Sequence, residues 1–324
     1  MNLRPETKKE KMSRYAGRPS ILSGVSVVVF VNPGAGGGRA RLFVPRVQKL
    51  FKSFQVRARF VMTDSAAELE SAARNAIEQT ERILLTMGGD GTFQALANAA
   101  FGADVLLGVI PVGGGNDFAA ALGLPSDPLK AGEAVLRGQP RFVDLVKVRT
   151  SEGRTRLYGG GGGVGLDAEA ARYASGTFRL IPGRLRYIAS ALRALAGYLP
   201  LDICLEFPGS DLPPFETKAL LAAALNSPTY GAGLRLAPDA TLEDGTLHVV
   251  LIEDLSKTEV LRLLPRLIRS GELRTSRVKR WRVQRVRLTT GQPTLFHADG
   301  EIIGSSPIEI EVIPRAVRVL AAVR

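Results

Sequence analysis

The stretch LLTMGGDGT, Leu84 to Thr92, decides how the rest of the chain is read. An apolar run of strand length ends in two glycines, an acid and a third glycine, and a stretch of helical character, Phe93 to Ala100, follows. A buried strand that turns sharply into a helix is the repeating unit of a parallel sheet. Glycines at such a turn let backbone N–H groups approach a phosphate, and they leave Asp90 to engage a nucleotide or a metal. The plainer alternative is that Asp90 only caps the helix that follows.

Moving outward, the same unit recurs. SVVVFV (Ser26–Val31) is a strand ended by Asn32-Pro33-Gly34, with a helix expected over Arg41–Phe54. A strand over Val56–Met62, a helix over Ser65–Gln79, a strand over Arg82–Met87 and a strand over Val105–Ile110 complete the alternation. This pattern predicts a doubly wound parallel sheet whose ligands sit at the carboxyl ends of the strands, where the glycine turns fall. The first turn, NPGAGGGRAR (Asn32–Arg41), is neither a Walker loop nor a dinucleotide fingerprint, because Arg39 stands where the last glycine of the fingerprint would be. Its Gly34, Gly36, Gly37 and Gly38 still suit a phosphate, with Arg39 and Arg41 as sources of positive charge. The third turn, PVGGGNDF (Pro111–Phe118), places Gly114, Asn116 and Asp117 on the same rim, although either polar residue alone would read as a helix cap.

After about residue 140 the pattern changes to strand-like segments bounded by glycine or proline, among them FVDLVKV, RLYGGGGGVG, ALLAAALN, TLHVVLI and WRVQRVRLT. Helical stretches over Arg184–Leu199 and Lys257–Ser270 interrupt them. The expectation is three parts: a basic flexible tail over 1–23, an α/β domain over 24–140, and a mainly antiparallel β-sandwich domain over 141–324, whose last strand can return to the first domain. The active cleft is expected between the two domains.

Composition narrows the chemistry. The 324 residues contain one cysteine, Cys204, and two histidines, His248 and His297, so neither an internal disulfide nor a zinc cluster can form, and any metal must take oxygen ligands. No run of 18 apolar residues and no signal segment is present, which leads to the expectation of a soluble, cytoplasmic protein. The net charge of +12 is uneven: residues 1–20 carry +4 and residues 255–290 carry +9. Such patches imply a polyanionic partner or simply solvated arginine faces. The amphipathic helix KTEVLRLLPRLIRS favours an anionic membrane surface, and the absence of interleaved aromatics argues against nucleic acid.

Six motifs then occur in order: N-P-x-x-G, G-G-D-G-T, P-x-G-x-x-N-D-F-A (Pro111–Ala119), G-x-G-x-D-A-E (Gly163–Glu169), A-P-D-A-x-x-x-D-G-x-L (Ala237–Leu247) and D-G-E (Asp299–Glu301). Over Val25 to Leu320 the chain resembles the diacylglycerol kinase catalytic family, shared by soluble bacterial lipid kinases, sphingosine kinases and ceramide kinases. G-G-D-G-T occurs also in the related NAD kinases, and the later motifs draw the resemblance toward lipid kinases. The resemblance implies ATP as phosphoryl donor with Mg2+, and a membrane lipid, diacylglycerol in the first instance, as acceptor. It implies a nucleotide site made of Asn32, Gly36, Arg39, Thr63, Gly88, Gly89, Asp90, Gly91, Thr92, Gly114, Asn116 and Asp117. It makes Glu301 the general base, working with Asp90, and it implies a structural magnesium held by the Asp244 carboxylate and the carbonyls of Thr241 and Thr246. Peripheral membrane association and a homodimer are further expectations. A sphingoid base, phosphatidylglycerol, a polyprenol or NAD as acceptor, or a non-catalytic sensor on the same fold, are the alternatives. This chain departs from the family at Gly114, where many members have Thr or Ser, at Gly37, where many have Lys, and in the unbroken run Gly159–Gly163.

Overall fold

A computed structural model describes residues 21–178, 181, 183–231, 233–270 and 275–323; the basic tail over 1–20 and the side chains over 264–270 lie outside the described residues. The chain alternates β1 (Ser26–Val31), α1 (Arg39–Ser53), β2 (Arg57–Met62), α2 (Ala66–Glu78), β3 (Ile83–Gly88), α3 (Asp90–Ala100) and β4 (Leu106–Pro111). The strands are parallel in the order β4-β3-β1-β2. Side chains of β1 and β3 are buried almost throughout, which is why these strands read as continuous apolar runs instead of alternating ones. Ser65 caps α2 by accepting the Glu68 N–H at 3.1 Å, and Glu68 returns a carboxylate to the Asp64 N–H at 2.8 Å.

Two short helices follow β4: α4 (Asp117–Ala121) and α5 (Pro128–Arg137). The sequence reading contained neither. The first is only five residues long, too short for a periodic pattern. Asp127 opens the second, accepting the N–H groups of Leu129 and Lys130 ahead of Pro128 at its first position.

The second half is built on β5 (Gln139–Thr150), β6 (Thr155–Tyr158), β7 (Gly161–Gly165), α6 (Leu166–Ser175), α7 (Gly183–Gly197), β8 (Leu201–Glu206), β9 (Phe215–Leu225) and β10 (Leu247–Glu253). It continues through α8 (Lys257–Ser270), β11 (Val278–Val283), β12 (Arg285–Thr290), β13 (Leu295–Ala298), β14 (Glu301–Ser305) and β15 (Ile308–Ala321). Its pairings are antiparallel, in the order β14-β13-β7-β9-β8-β12-β15, with β10 and β11 extending from β9. The fold is therefore α/β with a parallel N-terminal sheet and a β-rich C-terminal half. WRVQRVRLT is two strands, broken at Gln284, and the glycine run divides β6 from β7.

The long strand β15 joins the halves. Its start pairs antiparallel with β12, and near its end Arg318 and Val319 lie parallel to Leu106 and Leu107 of β4. The irregularity between these parts is held by Asp144 of β5, a buried carboxylate that accepts the Arg315 and Gly245 N–H groups, each at 2.7 Å. Two apolar faces follow from strand alternation on β9 and β10. Ala222, Ala224, Leu247 and Val249 enter the core of the sandwich, whereas Leu220, Ala223, Val250 and Ile252 face the segment over 230–240 and the start of α8. Burial on both sides explains the unbroken apolar run ALLAAAL. Trp281 packs between Phe207 and Phe215, with ring centroids 5.4 and 5.0 Å away, and belongs to that core.

Candidate active site

Sheet register brings the three glycine turns together. Val31 lies beside Met87, and Gly88 beside Pro111, so β1, β3 and β4 end at one edge. The chain leaves β1 toward β2 on one side and reaches β3 on the other, and this reversal opens a crevice at the carboxyl ends. There Gly36, Gly37 and Gly38 adopt consecutive left-handed conformations (φ 63, 72 and 88°). A Cβ at Gly37 would meet nothing within 4 Å, so this is an open backbone cradle of the kind that holds phosphates. The second and third turns touch: a Cβ on Gly113 would come within 2.6 Å of the Gly89 Cα.

The crevice continues into a cavity of about 800 Å³ that runs from this rim into the second half. Asn32, Gly36, Thr63, Gly89, Asp90, Gly91, Thr92, Gly114 and Asp117 line its polar end, together with Glu301 from the opposite side. Thr63 is fixed by its N–H on the Val31 carbonyl, at 2.9 Å. Gly88 ends β3 in a buried position, with Thr92 seated against its Cα. Asn116 takes a left-handed conformation (φ 60°) and its Nδ2 donates to the Gly113 carbonyl at 2.8 Å, so it braces the third turn from behind. Arg39 is a correction. It is exposed on α1 with its guanidinium 5.8 Å from the Phe43 ring centroid, and among the described residues no lysine or arginine lines the cavity. A helix residue one step past the glycine cradle points where α1 turns it, and here that is away from the rim.

Asp90 does cap a helix, though not its own. Its two carboxylate oxygens accept the N–H groups of Asp117 (3.3 Å) and Phe118 (3.2 Å) at the start of α4. Burial, and then the charges of Asp117 and Asp299, push its pKa from the ordinary 3.8 up to about 8. Asp117 in turn accepts the Gly233 N–H at 2.9 Å.

Asp299 is the residue the sequence reading passed over in favour of Glu301. Its carboxylate accepts the N–H groups of Gly159 (2.8 Å), Gly160 (3.1 Å) and Gly161 (3.1 Å). A Cβ on Gly160 would sit 2.8 Å from Asp299 Oδ1, so the glycine run is the nest on which this acid rests. Burial raises its pKa even against those three amide bonds. The donors lie about 140 residues from the acceptor in sequence, so only the fold reveals the pairing.

Glu301 opens β14 at the cavity wall. Its Oε2 lies 3.5 Å from Arg156 Nη2, and the same nitrogen reaches Glu70 of α2 at 2.7 Å, so one guanidinium ties the base candidate to the first domain. Neighbouring carboxylates raise the Arg156 pKa against the opposing effect of burial.

The residues expected to hold a structural magnesium lie elsewhere, in the loop before β10. The structure brings Thr241, Asp244 and Thr246 together. Asp244 accepts the N–H groups of Thr241 (3.1 Å) and Thr246 (2.9 Å), and His248 Nε2 stands 3.1 Å from its Oδ2. Both carboxylate oxygens thus brace the loop. Among the described residues no three acidic, histidine or cysteine side chains are grouped as a metal site.

Two family models match the chain. Residues 26–148 match the diacylglycerol kinase catalytic domain, and residues 162–321 match the YegS C-terminal NAD kinase beta sandwich-like domain. A diacylglycerol kinase of Mycobacterium tuberculosis is 30% identical over 242 residues, covering 74% of this chain and 77% of that one. The chain belongs to the diacylglycerol kinase family. It is a lipid kinase. A diacylglycerol kinase of Bacillus subtilis is 26% identical, covering 90% of the lipid kinase described here and 95% of its own length. The crystal structure of a diacylglycerol kinase from Bacillus anthracis shares the fold, with a TM-score of 0.69 at 16% identity over 91% of this lipid kinase and 96% of that chain.

Proposed function

We propose that the protein transfers the γ-phosphate of ATP to the hydroxyl of diacylglycerol, giving phosphatidic acid. One observation carries this reading: a single cavity has the glycine and acid rim at one end and an apolar arm, with Leu221, Leu234, Leu236, Ile252 and Leu255 in its walls, at the other. An apolar arm of this extent suits acyl chains and would leave the polar second half of NAD unsatisfied. The left-handed glycines of the first turn supply amides for the phosphates, and Asp90 and Asp117 fix the third turn against them.

Glu301 is the base in this reading. It faces the cavity from the second domain, and it takes the proton of the lipid hydroxyl as that oxygen bonds to the γ-phosphorus and ADP departs. Arg156 holds the carboxylate in place, and Asp299, fixed on its glycine nest two residues earlier, orients the turn that carries it. Magnesium fits the polar end. Asp90 and Asp117 are the cavity-lining carboxylates that would face a cation held there by phosphate oxygens and water, each Asp90 oxygen keeping a lone pair beyond the one N–H it accepts. When bound, the ion neutralises charge on the transferring phosphoryl group.

Access from a bilayer is the role proposed for the α7 and α8 rim. Ala191 of α7 and Val260 and Leu263 of α8 line the arm, while Leu192, Leu199 and Leu261 point to solvent beside it. Lys257 Nζ joins the two helices through the Ala196 carbonyl at 2.7 Å. Arg277, Lys279, Arg285 and Arg287 of the basic segment are paired with Glu253, Glu311 and Glu309, so the strands contribute less unpaired charge than their composition suggests. Among the described residues no helix is long and apolar enough to cross a membrane.

The test is phosphorylation with labelled ATP and magnesium in mixed micelles of diacylglycerol, sphingosine, ceramide and phosphatidylglycerol, with the products separated. Phosphatidic acid should be the main labelled product. A different labelled lipid would replace the acceptor, and no labelled lipid beside phosphorylated NAD would overturn the lipid assignment.

A further inference from the structure

One guanidinium serves two carboxylates from opposite halves of the molecule, and it serves them unequally. Arg156 of β6 places Nη2 2.7 Å from Glu70 Oε1 and 3.5 Å from Glu301 Oε2. The side chains of Arg156 and Glu70 are only 14% and 13% exposed, so salt screens their attraction little. Burial acts against the charge of Arg156, and Glu70 opposes that effect more than Glu301 does. The other oxygen of Glu70 stands 3.5 Å from Arg74 Nη1 on the same helix. Arg156 Nε is buried and, among the described residues, without a hydrogen-bond partner. The guanidinium thus leaves unused a donor with which its planar fork could bind one carboxylate by two parallel bonds.

This ion pair is not what docks β6 on the first domain. Asn98 of α3 accepts the Leu157 N–H at 2.9 Å and donates to the Leu157 carbonyl at 2.8 Å, which clamps the backbone of the strand next to Arg156. After β6 the chain enters the glycine nest of Asp299, and the Asp299 turn reaches the rim, where a Cβ on Gly91 would lie 3.2 Å from its carbonyl oxygen. Backbone contacts therefore fix where the Glu301 hairpin sits, and the ion pair is left to act on the Glu301 carboxylate.

We infer that Glu70 is a positioning residue for the base: by holding Arg156 at 2.7 Å it keeps the guanidinium from closing on Glu301. The inference rests on Glu301 being the base of the lipid-phosphorylating cavity. A carboxylate held by both arms of a guanidinium is a poor proton acceptor, and its oxygens can no longer turn to a hydroxyl. At 3.5 Å the Arg156 contact orients Oε2 of Glu301 and leaves Oε1 outside that bond. Without the Glu70 charge, Glu301 is the carboxylate that remains within reach of Arg156, and Nε becomes available to complete the fork. Asp299, two residues before Glu301, does not compete for the guanidinium, because its oxygens rest on the amides of the glycine nest.

The experiment is a double-mutant cycle on diacylglycerol phosphorylation with Glu70→Gln, Arg156→Gln and the two combined, each read as kcat and as the KM for ATP. Glu70→Gln should lower kcat about tenfold with the KM for ATP unchanged, because a captured carboxylate loses part of what a general base contributes. In the Arg156→Gln background the same substitution should change kcat by less than about twofold, since the guanidinium that Glu70 restrains is gone. Glu70→Asp, which keeps the charge beside Arg156, should restore most of the rate that the glutamine variant loses. Losses that multiply in the double variant overturn the inference, because a merely structural Glu70 would slow the enzyme in either background. So does a Glu70→Gln protein as fast as wild type, or an aspartate variant as slow as the glutamine one. If the wild-type protein phosphorylates no lipid, or Glu301→Gln leaves the rate intact, the base assignment itself falls and takes the inference with it, a result distinct from multiplied losses in an active enzyme.

Discussion

Glu301→Gln should lower lipid phosphorylation by about 10²–10⁴-fold, the range that a positioned general base contributes. The amide keeps the oxygen that meets Arg156 and nearly the same volume, so the β13–β14 hairpin, the Asp299 nest and the cavity should persist. What is lost is the capacity to take a proton. The loss should fall on kcat, with the KM for ATP unchanged, because the nucleotide rim is formed by the first domain on the other side of the cleft. Steady-state kinetics with varied ATP at saturating lipid read this directly. A variant within a few-fold of wild type would remove Glu301 from the role of base.

The second large effect moves activity and stability in opposite directions. Asp90→Asn should abolish turnover, since the rim loses a carboxylate that lines the cavity and fixes the third glycine turn, and it should make the protein harder to unfold. Asp90 titrates near the ordinary 3.8 when the chain is unfolded and at about 8 in the fold, so between these values the unfolded state has released a proton that the folded state still holds. Stability therefore falls as pH rises from about 4 through 8, and the full cost of the buried charge is present above that window. Asparagine does not titrate. Its advantage should be absent near pH 4 and grow through the window, offset by about 1 kcal/mol for one of the two amide hydrogen bonds that a carboxamide can no longer accept. Denaturant unfolding of both proteins at pH 4.5, 6 and 8 checks the slope. Equal stabilities across the series would mean that Asp90 is not buried among like charges.

The N-terminal half was legible from the sequence because its information is local. Strands β1, β3 and β4 of the parallel sheet are short apolar runs, each helix between strands has a 3.6-residue period, and the glycine turns fall at the strand ends where such sheets bind ligands. Helices α4 and α5 escaped because one is a single turn and the other follows a loop rich in glycine and proline. Of the candidate site, the glycines and acids of the three turns reach one rim, which strand register brings about. Arg39 did not behave as its motif suggested, because the direction of a side chain on α1 is set in three dimensions. The run Gly159–Gly163 departs from the family pattern, and its use emerges only when Asp299 arrives on it from a distant part of the chain. Arg156 carries no motif at all, and its two carboxylate partners lie in different halves of the molecule.

The account rests on acyl chains occupying the same cavity that holds the phosphate rim. The direct measurement is photo-crosslinking with a diacylglycerol bearing a diazirine near the end of one acyl chain, followed by peptide mass spectrometry. The account predicts adducts on the walls of the arm, at Leu221, Leu234, Leu236, Ile252 or Leu255, that are outcompeted by unlabelled diacylglycerol. Adducts confined to the outer surface of β11 and β12, with the arm unlabelled, would contradict it.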